Sequence, residues 1–298
     1  MKFGNVALKA KELGFVCREN EMMSAHTTFR IGGPAKVFIE CNDIEKLWEL
    51  LAVIRAENVP FWVVGKGSNL LISDNGLDGV VLYICDDAVT VNENKISANA
   101  GAKLSTVCLA ARDASLTGLE FAWGIPGSVG GAVYMNAGAY GGEIKQTIIS
   151  ATSITLDGEL KHYDADQLEL GYRTSIFKKN GEIILSAVFR LETAEKQDIQ
   201  AKMDDFLGRR KNKQPLEYPS AGSTFKRPEG YFAGALIEQS NLKGFSVGGA
   251  EVSVKHAGFV INKNNATCKD VLGLIKHIQS TVKTNFNVDL ESEVIFVE

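Results

Sequence analysis

Little in this 298-residue sequence points to metal or thiol chemistry. Its five cysteines (Cys17, Cys41, Cys85, Cys108, Cys268) form no Cys-x-x-Cys pair, and its four histidines (His26, His162, His256, His277) are equally dispersed. Neither set has metal-ligand spacing, so no metal is expected, and an odd cysteine count suits a reducing compartment. Positive charge is also scarce: 32 Lys and Arg face 36 Asp and Glu, a net charge of −4. That balance argues against a nucleic-acid or membrane-surface partner, which would normally need a basic excess. The first twenty residues contain no apolar run of signal-peptide type, so a cytoplasmic location is expected. One uncharged window, Phe121 to Gly142, does reach membrane-spanning length. Its glycines and Pro126 would leave backbone groups unpaired in lipid, so a span is rejected.

That same window holds the sequence's most unusual stretch. "GIPGSVGGAVYMNAGAYGG" (Gly124–Gly142) carries seven glycines and no charge, and no Lys or Arg occurs between Arg112 and Lys145. Glycine loses the most conformational freedom on folding, so such a run implies a demand made on the backbone itself.

The surrounding pattern is α+β. "DIEKLWELLAVIRAEN" (Asp43–Asn58) has helical apolar spacing with Asp43 as cap, "FWVV" follows as a buried strand, and "GVVLYI" as another. A first lobe is expected over 1–88, and a second over 89–213. The second has strands at "KISANA", "TIISATSITL" and "EIILSAVFRL", a helix near Lys103–Ala114 and a polar helical connector over Ala194–Lys213. A third lobe over 214–292 contains the helix "TCKDVLGLIKHIQSTVKTNF", and the closing strand at 293–298 can return to the first lobe.

Two glycine loops are the candidate anion sites. The first, "VVGKGSNLL", leaves a buried strand and offers Gly65, Lys66, Gly67, Ser68, Asn69 and Leu70. It is neither a Walker A loop nor a Rossmann fingerprint, because the required Lys-Ser/Thr ending and third glycine are missing. The second offers Gly124, Ile125, Pro126, Gly127, Ser128, Gly130, Gly131, Asn136, Ala137 and Gly138. Loops of this kind present N–H groups to phosphate oxygens. With no Lys or Arg in the second, backbone donors alone are expected to hold a diphosphate there. Two loops on successive lobes imply one extended ligand of dinucleotide type.

In order along the chain stand "TTFRIGGPA", "VVGKGSNLL", "GLEFAWGIPGSVGGAVYMNAGAYGGE", "GYRTSIFK", "PSAGSTFKRP" and "LESEVIFV". Together these six motifs resemble the UDP-N-acetylenolpyruvoylglucosamine reductase family of peptidoglycan precursor synthesis. The resemblance implies a two-lobed FAD-binding fold of the vanillyl-alcohol-oxidase type plus a C-terminal α+β substrate-binding domain. It implies FAD as cofactor, NADPH as co-substrate and a UDP-sugar carrying an enolpyruvyl ether as substrate. The first loop contains neither the His nor the Cys that tethers FAD in some relatives of that fold, so the flavin is expected to be non-covalent. No tyrosine occurs from Arg173 to Glu217, which resembles the shorter subtype without a tyrosine-bearing loop.

By the same resemblance, Arg173 and Glu293 sit at the substrate carboxylate and Ser223 donates a proton. Arginine's planar fork suits a carboxylate, and a glutamate beside a developing anion must be protonated or held against a cation. Glu291 is the rival glutamate, though matching "E-x-E-V" selects Glu293. Lys226 and Arg227 are expected to reach the UDP diphosphate. A monomer is expected.

Overall fold

The computed structural model describes residues 2–298. Its contacts divide the chain into two units, each assembled from separated segments. Unit 1 comprises 1–19, 36–66 and 79–209, and unit 2 comprises 20–35, 67–78 and 210–298.

Unit 1 is built on a five-stranded antiparallel sheet in the order Leu160–Asp164, Ile148–Ile154, Ile183–Arg190, Lys95–Asn99, Val89–Asn92. The expected strands fall here because their β-branched residues can alternate between a buried and a half-exposed face. Two helices of this unit form for the matching helical reason. Leu104, Val107, Cys108 and Ala111 bury one stripe of the helix Leu104–Asp113, and Leu47, Leu50, Leu51 and Ile54 one stripe of Leu47–Ala56. The capping residue read from the sequence acts as expected, with the Asp43 carboxylate accepting from the Glu45 N–H at 3.1 Å. Here it caps a short 3-10 turn, Ile44–Lys46, that leads into the helix. The strand Phe61–Val64 pairs in parallel with Val80–Tyr83 at the edge of a four-stranded sheet. The first glycine loop therefore leaves a sheet edge.

Unit 2 has its own apolar core around the helix Cys268–Phe286, which buries Val271, Leu274, Ile278 and Val282. Thr267 caps that helix in a reciprocal box with Asp270. The Asp74 carboxylate accepts from the next two orphan donors, the N–H groups of Cys268 at 2.7 Å and Lys269 at 3.1 Å. This bond explains why a segment near residue 70 belongs with the C-terminal residues. The closing strand Ile295–Val297 runs parallel to Leu70–Ile72, with Ile295 opposite Leu70. A three-stranded antiparallel sheet, Ser246–Val247, Ala250–Val252 and Val260–Asn262, and the helix Ala233–Gln239 complete the unit.

Among the described residues no helix is long and apolar enough to cross a membrane. The longest helix in the uncharged window is the six-residue Val129–Tyr134. All five cysteines are free, and burial raises every thiol, Cys108 and Cys268 to about 12. They are inert packing groups rather than nucleophiles.

Candidate active site: two glycine loops and two sets of polar residues

The first loop has the open donors. Among the described residues, no backbone N–H from Gly65 to Asn69 donates to a protein acceptor, whereas the carbonyls of Gly67 and Asn69 accept from Thr28 and Ile295. A run of unpaired N–H groups turning out of a strand is what an anion requires. Its glycines are there for two reasons. Gly67 adopts φ +60°, and a Cβ on it would run into the His26 carbonyl. A Cβ on Gly65 would run into the Ser128 hydroxyl. That second contact lies within unit 1 and sets Gly65 of the first loop beside Ser128 of the second. Lys66 points its ammonium at the Tyr83 hydroxyl, 2.6 Å away.

The second loop differs from expectation. The N–H groups of Ile125, Gly127, Val129 and Gly130 donate to Ala122, Ile125, Ala102 and Ala100 carbonyls at 2.9–3.0 Å. Gly131 donates to the Ser128 hydroxyl, which caps the short helix, and Pro126 has no N–H. Gly124 and Ser128 are left with unpaired backbone donors among the described residues. The reason is geometric: Pro126 closes a tight turn from Gly127 to Ile125, and the loop then crosses over residues 100–103 at close range. Gly130 lies against Ala100 and Gly142 against Phe121, so a side chain at either would collide. Glycine in this loop permits close packing more than it supplies donors.

One donor nearby was not singled out by sequence. The Trp123 indole N–H, immediately before Gly124, is buried without an acceptor. A buried donor left unpaired costs about 1–3 kcal/mol, so it calls for a partner the chain does not itself provide. Within unit 1, the open N–H groups of Gly65 and Lys66 beside Ser128 fit a phosphate group of a cofactor such as FAD, and the Trp123 indole N–H is a further donor without a protein partner.

Arg173 sits in a two-residue turn. Gly171 and Thr174 exchange both backbone hydrogen bonds, at 3.2 and 3.3 Å, and Arg173 has φ +56°. A non-glycine residue in the left-handed region costs about 1–3 kcal/mol and persists only where the surroundings enforce it. Here the ties are many. The Lys178 ammonium donates to the Arg173 carbonyl at 2.8 Å, and the buried Ser175 hydroxyl donates to the Tyr134 carbonyl at 2.8 Å. The guanidinium lies over the Tyr172 ring, and one of its nitrogens is 3.5 Å from the Gly138 carbonyl of the second loop. Burial pushes the Tyr134 phenol above its usual value, so that ring stays neutral beneath the Lys178 ammonium.

In unit 2 the other sequence-derived residues meet in one short antiparallel pairing. Phe225 pairs with Ser292, the Glu293 N–H donates to the Thr224 carbonyl at 2.8 Å, and the Lys226 N–H to the Glu291 carbonyl at 2.8 Å. This register sets Ser223 and Glu293 at the same end of the ladder. Buried Thr224 anchors it: its N–H donates to the Gly258 carbonyl, and its hydroxyl accepts from the Val260 N–H, both at 2.9 Å. Thr224 carries no chemistry, so only its place in a motif could have flagged it. The Asn69 amide donates to the Glu293 carbonyl at 3.0 Å, so a residue of the first glycine loop holds the glutamate's backbone. Lys226 forms an ion pair with Glu291, and the Arg227 guanidinium stacks 4.0 Å above the Phe232 ring. Glu291 thus has a cation of its own.

Known protein families match this chain in two segments. Residues 35–164 match the FAD binding domain family, and residues 214–297 match the C-terminal domain of UDP-N-acetylenolpyruvoylglucosamine reductase. The reductase of that name from Clostridium novyi (strain NT) is 51% identical over 281 residues, covering 94% of this chain and 92% of the relative. Its counterpart from Clostridium perfringens (strain SM101 / Type A) is 52% identical over 273 residues, 91% of this chain and 90% of the relative. The crystal structure of the Thermus caldophilus reductase superposes with a TM-score of 0.81 at 33% identity, covering 95% of this chain and 99% of that one.

Proposed function

This chain belongs to the UDP-N-acetylenolpyruvoylglucosamine reductase family, and from that premise we propose how its residues divide the work. The reaction adds a hydride and a proton across the vinyl ether of UDP-N-acetylglucosamine enolpyruvate, giving the lactyl ether of UDP-N-acetylmuramate for peptidoglycan synthesis. When bound, FAD supplies the hydride transfer, taken up from NADPH and passed to the vinyl CH2 carbon.

The observation that carries this reading is the row of open backbone donors at Gly65–Asn69 in a chain whose residues 35–164 match an FAD binding domain. Those donors hold the diphosphate, and the Trp123 indole N–H pairs with a polar edge of the same cofactor. The flavin is non-covalent, because no His or Cys stands in the first loop. Segments 1–88 and 89–213 are assigned to the flavin, and 214–292 to the sugar nucleotide.

Arg173 binds the enolpyruvyl carboxylate through two parallel charge-assisted bonds and stabilises the negative charge that spreads into it after hydride addition. Ser223 gives its hydroxyl proton to the neighbouring carbon. Glu293 is assigned to the same carboxylate. Lys226 and Arg227 take the UDP diphosphate, for which Lys226 must exchange Glu291 for phosphate.

The purified protein is expected to be yellow, with its flavin reduced rapidly by NADPH and reoxidised by the enolpyruvyl sugar much faster than by oxygen. Reoxidation by oxygen alone would assign the chain an oxidase activity instead. Ser223→Ala is expected to leave flavin reduction intact and to slow reoxidation by the sugar by about 10²–10⁴-fold, the usual weight of a positioned proton donor. Retention of turnover within a few-fold would remove Ser223 from that role.

A further inference from the structure

The helix Val129–Tyr134 ends in the left-handed way that normally selects glycine. The Asn136 N–H donates to the Val133 carbonyl at 3.1 Å and the Ala137 N–H to the Ala132 carbonyl at 2.8 Å, with Asn136 at φ +41°. In a stretch with seven glycines, the position where glycine would serve the backbone best carries asparagine. The side chain must therefore be needed for something else.

Its contacts say what. Asn136 is fully buried, and all of its amide is in use. The Nδ2 donates to the Glu143 carboxylate at 2.8 Å and to the Gly171 carbonyl at 2.9 Å, while Oδ1 accepts from the Lys145 N–H at 2.9 Å. The amide's orientation is fixed by its partners, since a carboxylate and a carbonyl can only accept and an N–H can only donate. No side-chain donor is left over for a cofactor. What the side chain does hold is Gly171, the first residue of the turn that keeps Arg173 at its left-handed angle.

We propose that Asn136 is a positioning residue for Arg173: its amide, braced by Glu143, pins the 171–174 turn to the second glycine loop and so aims the guanidinium at the substrate carboxylate. The inference rests on the assignment of Arg173 to that carboxylate. It makes the flavin loop and the substrate arginine one mechanical piece, in which the loop's asparagine acts through the arginine and touches neither ligand with its side chain.

Asn136→Gly is the informative variant, because glycine keeps the helix ending and deletes only the amide. Three measurements on the holoprotein are compared: the rate of flavin reduction by NADPH, the Kd of the enolpyruvyl sugar read from the flavin absorption change in the oxidised protein, and kcat with that sugar. Flavin content and NADPH reduction are expected to stay near the parent values. Sugar Kd is expected to rise, and kcat to fall by up to about 10²-fold, the scale of an ångström-sized misplacement of a catalytic group. On an Arg173→Ala background, Asn136→Gly is expected to change sugar Kd no further, because the two residues act through one contact.

The inference is overturned if Asn136→Gly impairs NADPH reduction and sugar binding alike, or if it weakens sugar binding equally with and without Arg173. If Arg173→Ala itself leaves sugar Kd and kcat intact, the assignment of Arg173 fails first and takes the inference with it. If Asn136→Gly does not accumulate as holoprotein, Glu143→Ala provides the second line. It loosens the amide without touching the helix ending, and the same selective weakening of sugar binding is required of it.

Discussion

Both candidate loops carry glycine where the backbone is crowded, but their physics differs. In the first, Gly65 to Asn69 leave five consecutive backbone N–H groups open, and the glycines allow the turn to exist against His26 and Ser128. In the second, most N–H groups are returned to the protein itself, and the glycines let one backbone segment cross another. A glycine-rich sequence therefore announces close approach, but not what is approached. The asparagines show a second parallel. Asn69 holds the backbone of Glu293, and Asn136 holds the turn of Arg173. Each loop carries one amide that ties a proposed cofactor segment to a proposed catalytic one.

Substitutions can break this comparison. The largest effect is expected at Gly67, where alanine meets a backbone carbonyl that cannot turn aside and also sits at φ +60°. Gly67→Ala is expected to lose more than about 4 kcal/mol, in the range reserved for severe backbone conflicts, and to yield no flavin-bearing protein. A chemical denaturation curve within about 1 kcal/mol of the parent would show that the loop can shift, and would weaken the claim that its shape is dictated. Gly65→Ala should be milder, because the obstacle is a hydroxyl. A loss of about 1–3 kcal/mol is expected from overpacking, with reduced flavin content. Adding Ser128→Gly should recover much of both, since glycine is nearly as good as serine at a helix N-cap. Failure of the double variant to recover would mean that Gly65 matters for something other than its contact with Ser128. The smallest effect is expected at Gly131, which is helical and has only the Ser128 hydroxyl at 3.6 Å from an added Cβ. Gly131→Ala should raise stability by up to about 1 kcal/mol through helix propensity, with flavin content unchanged. Loss of flavin there would place the cofactor against that helical turn, and would make the second loop a binding surface as much as a packing one.

Much of the fold was legible because local pattern and tertiary environment agree. Leu47, Leu50, Leu51 and Ile54 announce one buried helical stripe, and it is buried. Asp43 announces a cap, and it caps the turn that leads into the helix. Motif order placed Ser223 and Glu293 in two segments that pair with each other. Donor availability in the second loop was not legible, because an N–H is open or closed according to what crosses it. Ala100 and Ala102, whose carbonyls close Gly130 and Val129, carry no signal of that role. Thr224 and Trp123 were missed for the same reason: burial and partners, not residue type, make them matter.

By itself, the sequence determined several of the helices and strands, that the second loop's own stretch carries no Lys or Arg, and which family's residues are present. These follow from side-chain periodicity, charge and residue identity, which are local properties. Only the tertiary structure decided that segments 20–35 and 67–78 join the C-terminal unit, that the first loop rather than the second keeps its donors, and that Asn136 and Asn69 face inward to hold other segments. Each of these depends on a hydrogen-bond partner tens to hundreds of residues away. A backbone donor has the same chemistry everywhere along the chain until the fold gives it a neighbour.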